Sequence, residues 1–135
     1  MNNTRFATAL HILSLLSKYT TEWLSSDWMA SSINVNPVIV RKELGVLQDK
    51  GWVVSRKGKE GGSRLQVNGS EIRLGDVYQA IRNTDILGKK NLKTNPKCPV
   101  GKEINNKLDD LYSETDRIVL ASLNEQTLQN FVDQF

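Results

Sequence analysis

A helix start followed by a basic, glycine-rich hairpin pattern occupies residues 36–65 and constrains the fold more than any other segment. Asn36-Pro37 is a strong helix start, because an Asn side chain accepts from orphan N–H groups and Pro at the first position has no N–H to satisfy. Apolar residues then recur at helical spacing, at Val40, Leu44 and Leu47. The residues expected on the outer face are Val38, Ile39, Arg41 and Lys42. Gly51 is a signal for the end of this helix.

The segment after this helix has the pattern of a β-hairpin. A β-prone run at 52–55 is followed by a charged, glycine-rich stretch at 56–64 and a second short run at 65–67. Helix, strand, basic loop and strand, in that order, are the parts of a winged helix-turn-helix.

The rest of the chain is predicted to be mostly helical. Residues 4–18 form an amphipathic helix, and Ser26 is the expected N-cap of a short helix through Ser32, with Trp28 and Met29 turned inward. A sharp turn at 33–36 then joins it to the next helix, which is the helix-turn-helix arrangement. Further short helices are expected at about 75–82 and 125–133.

A heptad-like seam near the C-terminus indicates a helix of roughly 30 Å that crosses a twin helix in a dimer. Its candidate dimerisation residues are Ile104, Leu108, Leu111, Thr115 and Ile118. The predicted fold class is therefore mainly α with a small β-hairpin wing. It comprises a winged helix-turn-helix DNA-binding domain at 1–82, a loop at 83–99 with the single Cys, and a long dimerisation helix with a C-terminal helix at 100–135.

Composition favours a small cytoplasmic regulator. The chain is 39% hydrophobic and 24% charged, as in ordinary globular proteins. We expect no membrane association, because there is no apolar run of spanning length and no signal peptide's apolar core. A single cysteine, Cys98, excludes an intrachain disulfide and argues against a disulfide-stapled secreted fold.

Charge is unevenly distributed along the chain. Residues 37–64 carry seven basic and three acidic side chains, for a net charge of +4, whereas residues 98–135 carry three basic and seven acidic ones, for −4. This separation fits a module that neutralises phosphates joined to one that does not touch them. Charge alone favours this interpretation no more than an unevenly charged, solvated surface.

Several motifs together resemble the Rrf-two (Rrf2) family of bacterial transcription regulators. They are the wing S-R-K-G-K-E-G-G-S-R-L, the following I-R-L-G-D-V-Y-Q-A-I, the start F-A-T-A-L-H-I-L-S-L-L and the helix N-P-V-I-V-R-K-E-L. The resemblance covers nearly the whole chain. It implies a dimer in which each subunit is a winged helix with a long dimerisation helix near the C-terminus.

Two positions depart from the family pattern. Members that bind an iron–sulfur cluster carry three cysteines in the loop before the long helix, and this chain has only Cys98 there. One thiolate cannot hold a cluster that takes four ligands, and His11 lies far away, so we expect no cofactor and no metal site. The second departure is Ser63, which stands where the family usually has an aromatic residue. It is expected to weaken packing of the return strand and to keep the turn.

The candidate DNA contacts follow from residue type and position. The start of the 37–50 helix is where base edges would be read. The candidate DNA-binding residues are Ser26, Asn36, Val38, Ile39, Arg41, Lys42, Arg56, Lys57, Lys59, Gly61, Gly62 and Arg64. Alternatives remain open: Asn36 could equally serve only as a cap, Val38 and especially Ile39 could pack on the preceding helix, and the wing could be a plain solvated hairpin.

Cys98 is the candidate redox sensor. It lies near four lysines and just before the long helix, whose positive end would favour a thiolate. Oxidation, or a bridge to the Cys98 of a second subunit, would shift the two DNA-reading heads. The alternative is that a lone Cys is a small buried apolar residue.

An enzymatic function is not supported, because one His and one Cys far apart form no nucleophile–base pair and the glycines lack the spacing of a phosphate loop. We expect a dimeric repressor that binds double-stranded DNA at a specific sequence, with Cys98 as the candidate for a redox response. Two alternatives remain: a non-specific nucleic-acid-binding winged helix, and an adaptor that docks a protein partner, since some family members bind a metabolic enzyme.

Overall fold

The computed structural model describes residues 4–82 and 85–135, and it confirms the predicted fold class. In chain order the elements are α1 (Arg5–Lys18), α2 (Ser26–Ile33), α3 (Pro37–Asp49), β1 (Val53–Arg56), β2 (Gly62–Leu65), α4 (Leu74–Ile81), α5 (Pro99–Leu123) and α6 (Leu128–Val132), with a 3₁₀ turn at Gly69–Glu71 before α4. Within the described ranges, no helix is long and apolar enough to cross a membrane.

Helix α1 lies at the centre of the core. It packs against α3, α4 and α6, and its buried side chains include Ile12, Leu13 and Leu16. The apolar stripe of α3 closes one side of this core, because Val40, Leu44 and Leu47 are all buried as their helical spacing predicts. The outer face of α3 is thereby left free of the core.

The helix-turn-helix is formed by α2 and α3, and two details of α2 differ from the prediction. The N-cap is Ser25, whose Oγ accepts the Trp28 N–H at 3.0 Å, so the prediction of Ser26 as cap was wrong by one residue. Met29 is fully buried as predicted, but Trp28 is 43% exposed and makes an edge-on contact with Tyr19. Asn34 ends α2 in the left-handed conformation, with φ of 64°, and so produces the sharp turn.

The wing is a two-stranded antiparallel hairpin in which Val53 pairs with Leu65 and Arg56 pairs with Gly62. Its return strand begins earlier than the predicted run at 65–67. Backbone bonds explain this start, because Leu24, in the α1–α2 connection, exchanges two hydrogen bonds with Ser63 at 2.8 and 3.0 Å. Pairing with Leu24 therefore adds a third chain segment to the edge of the wing.

The C-terminal elements also differ in their bounds from those predicted. Helix α5 has 25 residues, about 37 Å at the standard rise, and is longer than the roughly 30 Å expected. Helix α6 is shorter than the predicted 125–133 and packs on α1, with Thr127 as its N-cap. The long helix is joined to the body mainly through its contacts with α4.

Candidate DNA interface

The outer face of α3 carries exposed side chains that do not pack into the core. Val38 is 61% and Ile39 45% exposed, so both lie on the outer face as predicted. Arg41 and Lys42 are also exposed, and in the described part of the chain neither forms a hydrogen bond or an ion pair. These four residues form a mixed apolar and cationic surface on the first two turns of a helix.

Asn36 caps α3, because its Oδ1 accepts the Val38 N–H at 2.9 Å. Capping occupies this oxygen and leaves the Nδ2 donors without a partner in the described structure. Asn36 can therefore cap the helix and still donate to a ligand, but it cannot form the bidentate contact to adenine that needs both groups.

The wing arginines are held by the chain itself, which the sequence did not indicate. The guanidinium carbons of Arg56 and Arg64 lie 4.5 and 5.0 Å from the centroid of the Trp23 ring. Arg56 also donates to the Glu60 carbonyl at 2.8 and 3.1 Å, and Arg64 to the Thr20 carbonyl at 3.1 Å.

The wing-tip lysines are in a different situation. Lys57 and Lys59 are exposed, and neither makes an ion pair or hydrogen bond within residues 4–82 and 85–135. Their charges are therefore available to an anion, such as a phosphate, without breaking a hydrogen bond or ion pair of the described structure.

Gly61 and Gly62 serve the fold of the wing directly. A Cβ on Gly61 would lie 2.3 Å from the Arg56 carbonyl oxygen, and one on Gly62 would lie 2.6 Å from the Leu24 carbonyl oxygen. Gly62 also has a φ of 152°, which side chains disfavour. These two glycines thus allow a close approach to the protein's own backbone. They would affect DNA binding only through the shape of the wing.

A groove of about 540 Å³ separates α3 from the wing, and the N-terminus of α2 lies at its edge. Ser26 and Arg41 line this groove together with the wing residues Arg56 and Lys57. Half of the predicted DNA-binding residues thus line one groove, namely Ser26, Arg41, Arg56, Lys57, Gly61 and Gly62. The other six do not line it: Asn36, Val38, Ile39, Lys42, Lys59 and Arg64.

A chain of side-chain hydrogen bonds fixes the wing against α3. Gln48 donates to the Ser55 Oγ at 2.6 Å, and Ser55 shares a hydrogen bond of 2.6 Å with Ser63. Ser63 is buried, so a serine at this position replaces the packing of an aromatic ring by hydrogen bonds. The turn is kept, as predicted.

Helix α3 is also anchored to α1 by a buried charge. Glu43 is only 2% exposed and accepts three hydrogen bonds from the Arg5 guanidinium, at 3.0 to 3.2 Å. A carboxylate this deeply buried requires such a partner. The orientation of the exposed α3 face therefore depends on this pair.

The joint between α4 and α5 is polar. Arg82, at the end of α4, forms ion pairs with Asp85 at 2.9 Å and with Asp116 of α5 at 2.8 Å. Burial raises the pKa of the neighbouring Tyr78 phenol, and the hydrogen bond to Asp116 raises the pKa of Arg82. The long helix is thus fixed to the winged-helix body through a cluster of charged groups centred on Arg82.

The seam of α5 is uncovered. None of the 25 residues of α5 is buried, and Leu111 and Ile118 are both more than half exposed. Ile104, Leu108 and Thr115, the other predicted seam residues, are half-buried.

Cys98 is the N-cap residue of α5, and its side chain is exposed. Its backbone N–H donates to the Asn95 carbonyl at 3.2 Å, so the loop is folded back before the helix begins. The alternative of a buried apolar thiol does not hold in this structure.

A family model named Rrf2, with the description of an iron-dependent transcriptional regulator, matches residues 2–134. The chain belongs to the Rrf2 family. The family resemblance that the motifs indicated is confirmed, and the protein is a transcriptional regulator, not an enzyme.

Relatives and solved structures agree with this membership. The Rrf2 chain is 38% identical over 133 residues to YwnA of Bacillus subtilis, named as an HTH-type transcriptional regulator, with 98% of each chain covered. A structure described as a DNA binding protein is 36% identical, with a TM-score of 0.74, covering 94% of this chain and 97% of that one. CymR, the global cysteine regulator of B. subtilis, shares the fold at a TM-score of 0.72 and 19% identity, covering 100% of this chain and 98% of its own.

The residues of this Rrf2 chain do not fit the iron that the family description names. Across residues 4–82 and 85–135, no three His, Cys, Asp or Glu side chains are grouped as metal ligands. His11 is paired instead with the Ser32 hydroxyl at 3.1 Å, and it lies far from Cys98 in sequence. An iron–sulfur cluster would need most of its four ligands from the protein, which has a single thiol.

Sequence reasoning missed Trp23 and Glu43. Glu43 carried a usable signal, because it lies three residues after Val40 and directly before Leu44, on the stripe that becomes buried. A charged residue at such a position predicts a buried partner. Trp23 carried no comparable signal, since its contacts are with Arg56 and Arg64, on a strand pair more than thirty residues further along the chain.

Proposed function

We propose that this Rrf2 protein is a cytoplasmic, dimeric repressor that binds a specific operator. The observation that supports it is the groove in which Arg41 of α3 lies together with Arg56 and Lys57 of the wing. An α-helix fits the major groove, where the apolar residues Val38 and Ile39 would contact thymine methyl groups and Arg41 would address guanine or a phosphate. The wing would contact the adjacent backbone or minor groove.

The test is an anisotropy titration of reduced protein with the DNA upstream of its own gene, competed with unrelated duplex. Specific regulators prefer their sites by about a thousandfold or more, so a preference of that size supports the proposal. Tight but unselective binding with a steep salt dependence would indicate an architectural protein instead. An absence of binding would favour the adaptor function.

The uncovered seam of α5 supports the proposed dimer. An apolar face on a helix of this length requires a partner, and a twin α5 supplies one by placing two recognition helices in successive major grooves of a near-palindromic site. We expect Leu111→Glu/Ile118→Glu to convert a dimer into a monomer of 15.2 kDa, measured by light scattering after size exclusion.

The matched control places the same charges on the opposite side of α5. Asn106 and Ser113 are both exposed and lie off the seam. Asn106→Glu/Ser113→Glu should leave the dimer intact. A monomeric wild type, or equal dissociation in both double variants, would exclude the seam as the interface.

Redox control through the exposed Cys98 thiol is the finer part of the proposal. Its thiolate would attack a peroxide oxygen to give a sulfenic acid with loss of hydroxide, and condensation with the Cys98 of the partner subunit would form a disulfide with loss of water. We expect mild peroxide to reduce operator preference at least about tenfold in the wild type and not in Cys98→Ser. Equal sensitivity of both proteins would exclude Cys98 as the sensor.

We also propose that no iron–sulfur cluster takes part in this regulation. Anaerobic incubation of the protein with iron and sulfide, followed by desalting, should leave no visible absorption band of a cluster. A stable chromophore whose presence changes operator affinity would contradict this.

A further inference from the structure

We propose that Trp23, in the connection between α1 and α2, is a positioning residue that holds the two wing arginines ready for DNA. The proposal rests on the DNA-binding function above and deepens it. It assigns a specific role to a segment outside both the recognition helix and the wing.

Trp23 contacts both arginines on one face of the hairpin. Arg64 pairs with Val54, two residues before Arg56, so both arginines project to the same side of the two strands. The Trp23 ring lies 4.5 Å from the guanidinium carbon of Arg56 and 5.0 Å from that of Arg64. One indole therefore restrains two long side chains from adjacent strands.

The backbone next to Trp23 is itself attached to the wing. Leu24, the next residue, exchanges two hydrogen bonds with Ser63, and Gly62 lacks the Cβ that would strike the Leu24 carbonyl. Arg64 donates to the Thr20 carbonyl on the other side of Trp23. Hydrogen bonds on both sides of Trp23 in the sequence thus fix the indole beside the two arginines.

The Trp23 ring holds the two arginines without neutralising their positive charge. A carboxylate at residue 23 would also hold two guanidinium groups, but it would cancel charge that phosphates need. An aromatic face attracts the cations without adding a negative charge, and each guanidinium has five N–H donors. Arg56 uses its Nε and one Nη, and Arg64 uses one Nη, so donors remain on both for phosphate oxygens.

The closest solvent-exposed counterpart is Trp28, only five residues away. Trp28 contacts Tyr19 and neither arginine, so it provides a matched control for the removal of an indole on this side of the protein. We expect Trp23→Leu to weaken operator binding about tenfold, since it removes two cation–π contacts, and Trp28→Leu to change it less than about twofold.

A double-mutant cycle tests whether Trp23 acts through the arginines. In an Arg56→Gln/Arg64→Gln background, Trp23→Leu should change affinity less than about twofold, because its targets are gone. An equal tenfold loss in both backgrounds would overturn the proposal. Trp23→Phe should keep most of the wild-type affinity, with an expected two- to threefold loss. If Trp23→Leu fails to fold, the same double-mutant cycle is measured with Trp23→Phe, whose loss should disappear in the Arg56→Gln/Arg64→Gln background.

A measurement without DNA separates this proposal from the proposed function. In the free protein, ring currents from the indole should shift the Nε–H resonances of Arg56 and Arg64, and Trp23→Leu should return both to ordinary positions while Trp28→Leu leaves them unchanged. Unshifted arginines in the wild type would overturn the contact itself. Shifted arginines in a protein that binds no DNA would instead overturn the proposed function.

Discussion

Replacing the two wing-tip lysines by glutamate, Lys57→Glu/Lys59→Glu, is expected to weaken operator binding by about a hundredfold or more. Both side chains are exposed and form no hydrogen bond or ion pair within the described chain, so the change should not alter the fold. Each lysine that neutralises a phosphate releases counterions, and a glutamate in its place forfeits this gain and also repels the phosphate. Anisotropy titrations at several salt concentrations would measure the weakening.

The slope of affinity against salt concentration adds a second readout. With the neutral pair Lys57→Gln/Lys59→Gln, the logarithmic slope should fall by about 2, since each phosphate contact contributes about 0.9. Lys89→Glu/Lys93→Glu changes the same number of exposed charges on the loop before α5 and should have little effect. If regulation in cells survived reversal at the wing tip, the adaptor function would replace DNA binding.

The recognition helix could be predicted because local signals and the hydrophobic pattern agree there. Asn36 and Pro37 fix the start of α3, Gly51 fixes its end with a φ of 77°, and the apolar spacing decides which face is buried. Each signal lies within a few residues of the feature it determines. The wing and the long helix were likewise predicted from local patterns, namely two β-prone runs around a glycine-rich loop and a heptad-like seam, and the family motifs agree with both.

The features that could not be predicted depend on contacts distant in sequence or on a choice between adjacent residues of equal propensity. Ser25 and Ser26 have the same capping propensity, so the sequence did not identify which would cap α2. Trp28 was expected in the core, but Tyr19 provides a partner for it at the surface. The early start of β2 depends on Leu24, which no local pattern in the wing could indicate.

Removal of Arg5 is expected to lower the free energy of unfolding by about 3 kcal/mol, because it leaves the Glu43 carboxylate buried without its cation. Breaking a buried pair costs about 3–5 kcal/mol, and the lower end applies here since Arg5 is a quarter exposed. For Arg5→Met this corresponds to a fall in Tm of about 10 °C in a chain of this size. Thermal unfolding should be compared at one protomer concentration, because dimer formation would add a concentration-dependent term.

The double variant Arg5→Met/Glu43→Leu separates the cost of an unpaired charge from the worth of the pair. Replacing a whole buried pair by apolar residues is often neutral or stabilising, so the double variant should recover most of the lost stability. If the losses of stability from Arg5→Met and Glu43→Leu simply added in the double variant, the two residues would not be coupled, and Glu43 would not be the residue that Arg5 supports. A recovered Tm combined with weaker operator binding would show that this pair serves mainly to orient α3, because Glu43 lies on the same helix as Arg41 and Lys42.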